Sequence, residues 1–237
     1  MNIILFDKTD YYQNKNSIRL SDYRFDHISN VLRPKKNDTL KTGLINGNMG
    51  TGKVLEITDR YVDLSITLDK EPPPALPITI LLAMPRPKVL KRTLKHIAVL
   101  GVKSIYLINS FRVEKSYWHT PALKQAAIRT IFLNALEQAS DTLLPELHIE
   151  PLFKPFVEDR LPDIIQNTVA VVAHPKNGNR KVITSGKHVT LAIGPEGGFI
   201  PYEINKLKEC GFEEFRFGER ILPVETAVPS LISLLIQ

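Results

Sequence analysis

The sequence contains a single cysteine, Cys210, among its 237 residues. One thiol cannot form a disulfide within the chain, and cysteine-based zinc sites need several thiols, so we expect no metal. We interpret Cys210 as a packed thiol rather than a nucleophile. No apolar run approaches the ~20 residues of a membrane span, and the N-terminus lacks the basic start and long apolar core of a signal peptide. These absences favour a globular, cytoplasmic protein with no membrane partner.

Motifs of several enzyme classes are missing as well. The sequence has no Gly-x-Gly-x-x-Gly, no Gly-x-Ser-x-Gly and no His-Glu-x-x-His. It therefore lacks the motifs of dinucleotide oxidoreductases, serine hydrolases and zinc peptidases. Residues 47–53 nearly match a phosphate-binding P-loop, but Val54 stands where that motif needs Ser or Thr. Strand-like residues follow instead of a helix. The Asn-Gly pair between two strand-like runs favours a hairpin turn.

Acidic residues are scarce between positions 86 and 129. This segment has ten lysines and arginines and a single acid, Glu114, which leaves nine positive charges, whereas the whole chain carries +6. Such a cluster is typical of a nucleic-acid binder, and a solvated helix face is the alternative.

Residues 71–77 contain four prolines and indicate a stiff spacer. Before it, strands are predicted at 3–6, 39–45, 52–57 and 61–68, with a short helix that Ser21 caps and Pro34 ends. This pattern predicts a small β-rich barrel. After it, strands are predicted at 78–84, 104–109, 148–153, 169–173, 189–193 and 215–217. Helices are predicted at 87–100, 121–139, 158–166, after Ile200 and at 226–236. This alternation predicts an α/β domain with a parallel sheet covered by helices.

Residues 191–200, Leu-Ala-Ile-Gly-Pro-Glu-Gly-Gly-Phe-Ile, are the most informative stretch. An apolar strand ends there in a glycine loop, and Pro201 and Gly211 fit the start and exit of a following helix. This arrangement is where α/β proteins hold ligands, because glycine lets a ligand approach the backbone closely. Residues 217–227, Phe-Gly-Glu-Arg-Ile-Leu-Pro-Val-Glu-Thr-Ala, have the same outline. The two loops therefore predict one shared pocket.

Seven short pieces of the sequence form an ordered set along the chain. They are residues 27–33 (His-Ile-Ser-Asn-Val-Leu-Arg), 100–102 (Leu-Gly-Val), 136–138 (Leu-Glu-Gln), 144–145 (Leu-Pro), 194–198 with Glu203, 220–222 (Arg-Ile-Leu) and 225–227 (Glu-Thr-Ala). With these pieces in this order, the sequence resembles the bacterial methyltransferases that modify N3 of a uridine in 16S ribosomal RNA, within the SPOUT superfamily of knotted methyltransferases.

The resemblance implies a PUA-like β-barrel RNA-binding domain over residues 1–71, a linker over 72–77 and a trefoil-knotted parallel-sheet methyltransferase domain over 78–237. It also implies S-adenosyl-L-methionine as the methyl donor, 16S rRNA within the 30S subunit as the substrate, and a homodimer. The predicted cofactor-binding residues are Ala173, His174, Ile193, Gly194, Pro195, Gly197, Gly198, Phe217, Gly218, Ile221 and Leu222. For His174, a hydrogen-bonded strand-end role is an equal alternative.

Two residues are predicted to take part in the chemistry that the resemblance implies. Arg220 is expected to stabilise the uracil as N3 loses its proton, since its charge is permanent. Glu196 is expected to orient the donor or accept a proton, with a purely structural loop carboxylate as the alternative. The predicted RNA contacts are His27, Arg33, Lys91, Arg92 and Arg112. Trp118 is expected to pack rather than to stack on a base.

Three places depart from the family pattern. Pro223 stands where arginine is usual, Val99 stands where glutamate is common, and residues 139–142 lack an arginine that often follows Glu-Gln. Pro223 lies next to the predicted pocket and removes a cation and a backbone donor. One alternative function is therefore an RNA-binding or ribosome-assembly protein with an impaired site. A second is a methyltransferase of another RNA, such as transfer RNA.

Overall fold

The computed structural model describes residues 1–12, 16–174, 178–179, 184 and 186–236 of the chain. It consists of two compact units. The first combines Met1–Pro74 with Leu133–Leu144, and the second combines Ala75–Phe132 with Pro145–Gln237. The first crossing between units falls inside the predicted linker. The return of residues 133–144 to the first unit has no counterpart in the boundaries drawn from the sequence.

The first unit contains one five-stranded sheet. Its strands are β1 (Ile4–Phe6), β2 (Ser17–Leu20), β3 (Thr39–Leu44), β4 (Met49–Ile57) and β5 (Val62–Lys70), in the order β1-β3-β4-β5-β2. β1 runs parallel to β3, and the other pairs are antiparallel. β2 was not predicted from the sequence, because it has only two inward-facing apolar residues, Ile18 and Leu20, which are both fully buried.

The hairpin predicted at Asn46-Gly47 is confirmed. The Gly47 amide donates to the Leu44 carbonyl at 2.8 Å, and Asn46 adopts a left-handed φ of 57°. β4 already begins at Met49, so most of the P-loop-like run is strand. The turn also docks on the returning segment of its own unit, where the Asn46 amide donates to the Thr142 carbonyl at 2.8 Å. The segment that lacks the family arginine therefore serves to hold this turn.

The helix of the first unit, α1, spans Tyr23–His27 and continues as a π-helical turn over Ile28–Leu32. Its end before Pro34 is as predicted. The prediction of Ser21 as the N-cap is wrong by one residue, because the Asp22 carboxylate accepts from the Arg24 amide at 3.0 Å. A carboxylate at this position satisfies an otherwise unpaired helix N–H and complements the helix dipole.

The second unit contains a six-stranded sheet, and the prediction of an α/β domain with a parallel sheet is confirmed. Its strands are β6 (Ile78–Ala83), β7 (Ser104–Ile108), β8 (Glu146–Glu150), β9 (Val169–Ala173), β10 (Val189–Ile193) and β11 (Glu213–Phe215). The order is β11-β9-β10-β6-β7-β8, and every described pairing is parallel. The two central strands, β6 and β10, are buried along their whole length, as expected for parallel strands covered on both faces.

Helical segments connect these strands. They are α2 (Pro87–Val99), α3 (Gln125–Ala139), α4 (Phe153–Pro155), a π-helical turn (Phe156–Arg160), α5 (Leu161–Ile164), α6 (Pro201–Glu209) and α7 (Val224–Leu235), with 3-10 turns at Lys115–His119 and Pro121–Leu123. The division between the two units runs through α3. No helix among the described residues is long and apolar enough to span a membrane.

The predicted boundaries around the last helices need correction. α7 begins at Val224, two residues before its predicted start, with Pro223 as its N-cap, and Pro229 lies in the helix interior. β11 ends at Phe215, which leaves Phe217 in a loop. The predictions for α6 hold, because Pro201 is its first residue and Gly211 follows it with a φ of 100°.

Candidate active site

A cavity of about 600 Å³ lies at the carboxyl edge of the second unit's sheet. Parallel strands end at the same edge, and here β9, β10 and β11 each contribute their last residue to the wall. The strand order reverses around β10, and this kind of position is where open α/β sheets bind ligands. All the predicted cofactor-binding residues line this cavity, together with Arg220, Glu196 and Arg112.

The glycine loop 194–198 forms one side of the cavity and needs glycine for backbone reasons. The Gly198 amide donates to the Pro195 carbonyl at 2.7 Å, which closes a tight turn, and Gly198 has a left-handed φ of 72°. At Gly194 a Cβ atom would lie 3.0 Å from the Phe199 amide nitrogen, and real Cβ atoms rarely come so close to a backbone atom. The loop therefore presents bare backbone to the cavity.

Arg112 is hydrogen-bonded to the glycine loop. Its guanidinium donates to the Gly197 carbonyl, and a Cβ atom at position 197 would lie 2.9 Å from the Arg112 Cδ atom. Arg112 was predicted to contact RNA phosphates, and the structure places it in the wall of the cavity. It adds a permanent positive charge there.

A buried carboxylate fixes the segment that carries Arg112. Glu203 on α6 is only 2% exposed, and it accepts hydrogen bonds from the Phe111 amide at 2.7 Å and the Ile200 amide at 2.9 Å. The Ser110 hydroxyl donates to the same carboxylate at 3.2 Å. The sequence signal for this role was the position of Glu203 three residues after Ile200, since a carboxylate there reaches back to the residue that precedes the helix.

Glu196 is exposed and holds a neighbouring loop. Its Oε1 atom accepts from the Arg86 amide at 3.1 Å, and Arg86 is the residue that precedes α2. This hydrogen bond ties the glycine loop to the end of β6. One of the two carboxylate oxygens is therefore occupied by a structural contact.

The second loop and α7 form the opposite wall. Phe217, Arg220 and Ile221 are exposed at the cavity, and Pro223 leads into the helix. The Pro223 carbonyl accepts from the amides of Thr226 and Ala227 at 2.9 and 2.8 Å. Pro223 therefore starts α7 without costing the helix a hydrogen bond, because the N–H of a cap residue lies outside the helical pattern.

Five further apolar residues line the cavity and were not among the predicted cofactor-binding residues, although three of them lie within the two loops predicted to form the pocket. They are Phe199, Phe215, Val224, Ala227 and Leu231. The last three follow one another at spacings of three and four residues, so they share one face of α7. This spacing was available in the sequence. The contribution of Phe199 and Phe215 depends on tertiary packing instead.

The remaining predicted RNA contacts lie outside the cavity. Lys91 and Arg92 are exposed on α2, and the Arg92 guanidinium pairs with the Glu225 carboxylate at 3.0 Å. In the first unit, Arg33 has a left-handed φ of 49° and its Nε donates to the Asn30 carbonyl at 2.9 Å. The Nε2 atom of His27 is buried and has no hydrogen-bond partner within the described part of the chain.

His174 and Trp118 have hydrogen-bonded positions. The His174 amide donates to the Phe215 carbonyl at 2.8 Å, which places its side chain at the end of β9 in the cavity wall. The Trp118 indole donates to Asn109 Oδ1 at 3.3 Å, and its ring is half-buried. Across the described residues, no group of three or more His, Cys, Asp or Glu side chains is arranged to hold a metal ion.

A parallel sheet with two ligand-facing loops at its carboxyl edge defines a small-molecule-binding α/β domain. The family model described as "RNA methyltransferase domain" matches residues 71–236, which is well over half of the chain. The chain therefore belongs to this family of RNA methyltransferase domains.

Individual relatives extend the similarity beyond this domain. The chain is 28% identical over 232 residues to the ribosomal RNA small subunit methyltransferase E of Treponema pallidum, covering 96% of this chain and 87% of the relative. It is 28% identical over 210 residues to the ribosomal RNA small subunit methyltransferase E 2 of Borreliella burgdorferi, covering 86% and 84%.

Two solved structures share the fold. A putative methyltransferase from Legionella pneumophila, solved with its bound cofactor SAM, superimposes with a TM-score of 0.78 at 24% identity over 99% of this chain and 96% of that one. The ribosomal RNA small subunit methyltransferase E of Neisseria gonorrhoeae, bound to S-adenosyl methionine, gives a TM-score of 0.75 at 21% identity over 98% and 95%.

Proposed function

We propose that this protein transfers a methyl group from S-adenosyl-L-methionine to N3 of a specific uridine in 16S ribosomal RNA of the small subunit. The observation that carries the proposal is the cavity that gathers both loops of the family pattern at the carboxyl edge of the sheet. The names of the Treponema and Borreliella relatives support ribosomal RNA as the substrate.

The cavity suits this methyl donor in size and chemistry. Its volume of about 600 Å³ is within the usual range for cofactor sites. The bare backbone at Gly194 and Gly198 allows close approach, and the partly exposed Ala173 and Leu222 offer apolar surface for an adenine ring. The Pro223 carbonyl uses the amides of Thr226 and Ala227, so the amides of Val224 and Glu225 are the ones that suit the carboxylate of a methionine moiety.

The chemistry needs alignment and charge stabilisation from the protein. The donor supplies, when bound, an electrophilic methyl group on a positively charged sulfur. N3 would release its proton, which leaves negative charge on the uracil ring. N3 would then form a bond to the methyl carbon while the bond from that carbon to sulfur breaks and its electron pair stays on sulfur. Arg220 and Arg112 both line the cavity and keep their charge at any physiological pH, so we assign them the stabilisation of this charge.

We assign Glu196 a positioning role with one oxygen available for the proton. Its Oε1 is held by the Arg86 amide at 3.1 Å, so a proton leaving N3 is expected to reach Oε2. A Glu196→Gln variant separates the two roles. It keeps an acceptor for Arg86 and removes the base, so a large loss of turnover with unchanged donor affinity supports proton transfer.

The substrate is held by positive charge in this proposal. Lys88, Lys91 and Lys95 are exposed along α2 at spacings of three and four residues, which places them on one side of the helix. Arg92 is expected to contribute less to RNA binding because Glu225 already pairs with it. In the first unit, His27 and Arg33 are the proposed contacts, and the five-stranded sheet supports a PUA-like RNA-binding role for that unit.

The proposal extends to the chain topology, the assembly and the location. The placement of β10 between β6 and β9 supports a SPOUT-type knotted crossing in the second unit. The exposed side chains of Phe217 and Ile221 beside the cavity support a homodimer, because exposed apolar groups of this size mark interfaces. Sedimentation equilibrium tests the dimer. The proposed 30S substrate places the protein in the bacterial cytoplasm.

One experiment decides between this function and its alternatives. Purified protein is incubated with labelled donor and either 30S subunits or transfer RNA from a strain in which the gene is deleted, and the RNA is digested for mass spectrometry. The appearance of 3-methyluridine in 16S rRNA supports the proposal. Labelled transfer RNA alone indicates another substrate. RNA binding with no methyl transfer to either RNA indicates a binding protein with an impaired site.

A further inference from the structure

The second unit has another cavity, of about 320 Å³, which the proposed methyl transfer does not use. Four aromatic side chains line it, from Phe111, Trp118, Phe153 and Tyr202. We call this site the aromatic cavity. It shares no lining residue with the larger cavity, but the two walls are adjacent in the chain, because Arg112 follows Phe111 and Phe199 precedes Ile200. The two cavities are therefore lined by neighbouring residues of the same two chain segments.

The backbone around Phe111 holds its ring in an exposed position. Its side chain is 78% exposed, although its own amide is held by the buried Glu203 carboxylate at 2.7 Å. The preceding residue, Ser110, is buried and bonded to the same carboxylate. The backbone thus presents a large aromatic ring to solvent from a fixed position. Phe111 shares the cavity lining with three other aromatic residues, and such a group, unlike a single exposed apolar residue, indicates a contact surface.

The side chains of Asn109 and Glu203, which line the aromatic cavity, already have hydrogen-bond partners within the protein. Asn109 Oδ1 accepts from the Ser110 amide at 2.9 Å and from the Trp118 indole at 3.3 Å, while its Nδ2 donates to the Pro151 carbonyl at 2.9 Å. The Glu203 carboxylate is occupied by its three donors. A flat group in this cavity is therefore recognised mainly by stacking on ring surface rather than by a hydrogen-bond pattern to Asn109 or Glu203.

Two exposed lysines, Lys115 and Lys154, also line the aromatic cavity. Ring surface flanked by positive charge matches the chemistry of single-stranded RNA, in which flat bases alternate with phosphates. RNA presents both groups at every nucleotide, whereas a protein partner would need aromatic and acidic side chains placed side by side. The charge of the lining therefore favours RNA over the other occupants.

We propose that the aromatic cavity binds an unstacked nucleobase that flanks the methylated nucleotide, with Lys115 and Lys154 on the adjoining phosphates. Phe111 and Trp118 supply the stacking surface. The identity of the RNA rests on the proposed function, whereas the binding of a base does not. Because every base has a ring face, the site is expected to bind with little sequence preference.

The chain has a single tryptophan, so Trp118 reports directly on this cavity. Wild-type protein is titrated with a short single-stranded oligoribonucleotide, and the tryptophan fluorescence is followed. We expect saturable quenching as a base stacks in the cavity. The same oligonucleotide with abasic positions keeps its phosphates, so it is expected to bind more weakly and to leave the fluorescence nearly unchanged.

Phe111→Ala is expected to weaken the binding of the oligonucleotide by about 5- to 150-fold, which is the range for removing one stacking partner. Phe111→Leu keeps apolar bulk without a flat ring and is expected to lose most of the same affinity. Leu152→Ala removes another exposed apolar side chain, 63% exposed and outside the lining, and is the matched control without effect.

The proposal is overturned if abasic and intact oligonucleotides quench Trp118 equally, or if both Phe111 variants bind RNA like wild type. It is also overturned if Phe111→Ala converts a dimer into monomers in sedimentation, since the cavity then belongs to a subunit interface. Methyl transfer is measured in parallel. An active enzyme with unchanged Phe111 variants refutes only this inference, and an inactive protein with base-dependent quenching refutes only the proposed function.

Discussion

Glu203 offers the sharpest test of how the candidate site is held together. Its carboxylate accepts three hydrogen bonds, from the amides of Phe111 and Ile200 and from the Ser110 hydroxyl, and its side chain is almost fully buried. The Phe111 contact joins α6 to the loop after β7, which lies far away in the sequence. We therefore expect substitution of Glu203 to destabilise the second unit and to loosen the segment that carries Arg112.

The expected size follows from the donors left behind. Glu203→Ala leaves two backbone amides without an acceptor, and each such donor costs about 1–3 kcal/mol when buried. Both amides are partly buried, so we expect a total loss of about 3–4 kcal/mol in the free energy of unfolding. Glu203→Gln keeps one acceptor oxygen, but its NH₂ group must face one of the amides. That single mismatch predicts a loss of about 1–2 kcal/mol.

Urea unfolding followed by Trp118 fluorescence measures this loss. Trp118 is the only tryptophan of the chain and belongs to the second unit, so the signal reports on the unit that contains Glu203. Glu209→Gln on the same helix is the matched control. Its carboxylate is exposed and pairs with Lys206 at 2.8 Å, which predicts a change below about 1 kcal/mol.

Two results would refute this reasoning. If Glu203→Gln is as stable as wild type, the carboxylate is not needed for its donors. If Glu203→Ala costs no more than Glu209→Gln, the three hydrogen bonds contribute nothing that water does not replace. An order of wild type, Gln and Ala in decreasing stability supports the assignment.

Further outcomes are expected from the charges of the molecule. Arg220→Ala should lower the methylation rate ~10²-fold with little change in donor affinity, measured by turnover and calorimetry, because its interaction develops in the transition state. RNA affinity in filter binding should fall ~10³-fold between 50 and 200 mM salt if about six phosphates are neutralised, and Lys91→Ala should reduce the salt slope by about one. Burial raises the pKa of Glu137, so its contribution to stability is present below the unfolded-state pKa and is lost as pH rises through the folded one. In urea unfolding at pH 4 and pH 8, the free energy of unfolding of Glu137→Gln should increase relative to that of wild type as pH rises. Burial also raises the pKa of the Cys210 thiol, so an aromatic disulfide reagent should label it at least about tenfold more slowly than free cysteine at pH 7.

The parallel direction of the second unit's strands could be inferred from local pattern, whereas their order in the sheet was not predicted. Most of these strands are short apolar runs that alternate with helices, and parallel pairing follows from that alternation. The glycine loop was equally predictable, since residues 194–198 combine turn formers with a helix start at Pro201. Local sequence carries these features because they depend on backbone propensity and on side-chain period.

Features that depend on distant partners were not predictable in the same way. α3 looks like one helix of the second region, yet its last residues pack with the first unit, where Leu136 joins Ile3 and Leu5 in a buried cluster. Periodicity predicts that Leu136 faces inward, but it does not predict which hydrophobic core Leu136 joins. The same holds for Arg112, whose place beside Gly197 depends on the fold of two separate loops.

Pro223 affects the backbone of the site and its charge differently. As the residue before α7, Pro223 has a φ of −57° and offers its carbonyl to two helix amides, so the wall of the cavity is intact. Compared with the usual arginine, Pro223 lacks a positive charge and a backbone N–H donor. Arg220 and Arg112 both line the same cavity, and Arg112 is anchored there by the Gly197 carbonyl. Because the charge on a uracil is stabilised by any fixed cation close to the ring, we expect these two arginines from different loops to meet the requirement without a third. A Pro223→Arg variant that methylates RNA faster than wild type would contradict this expectation.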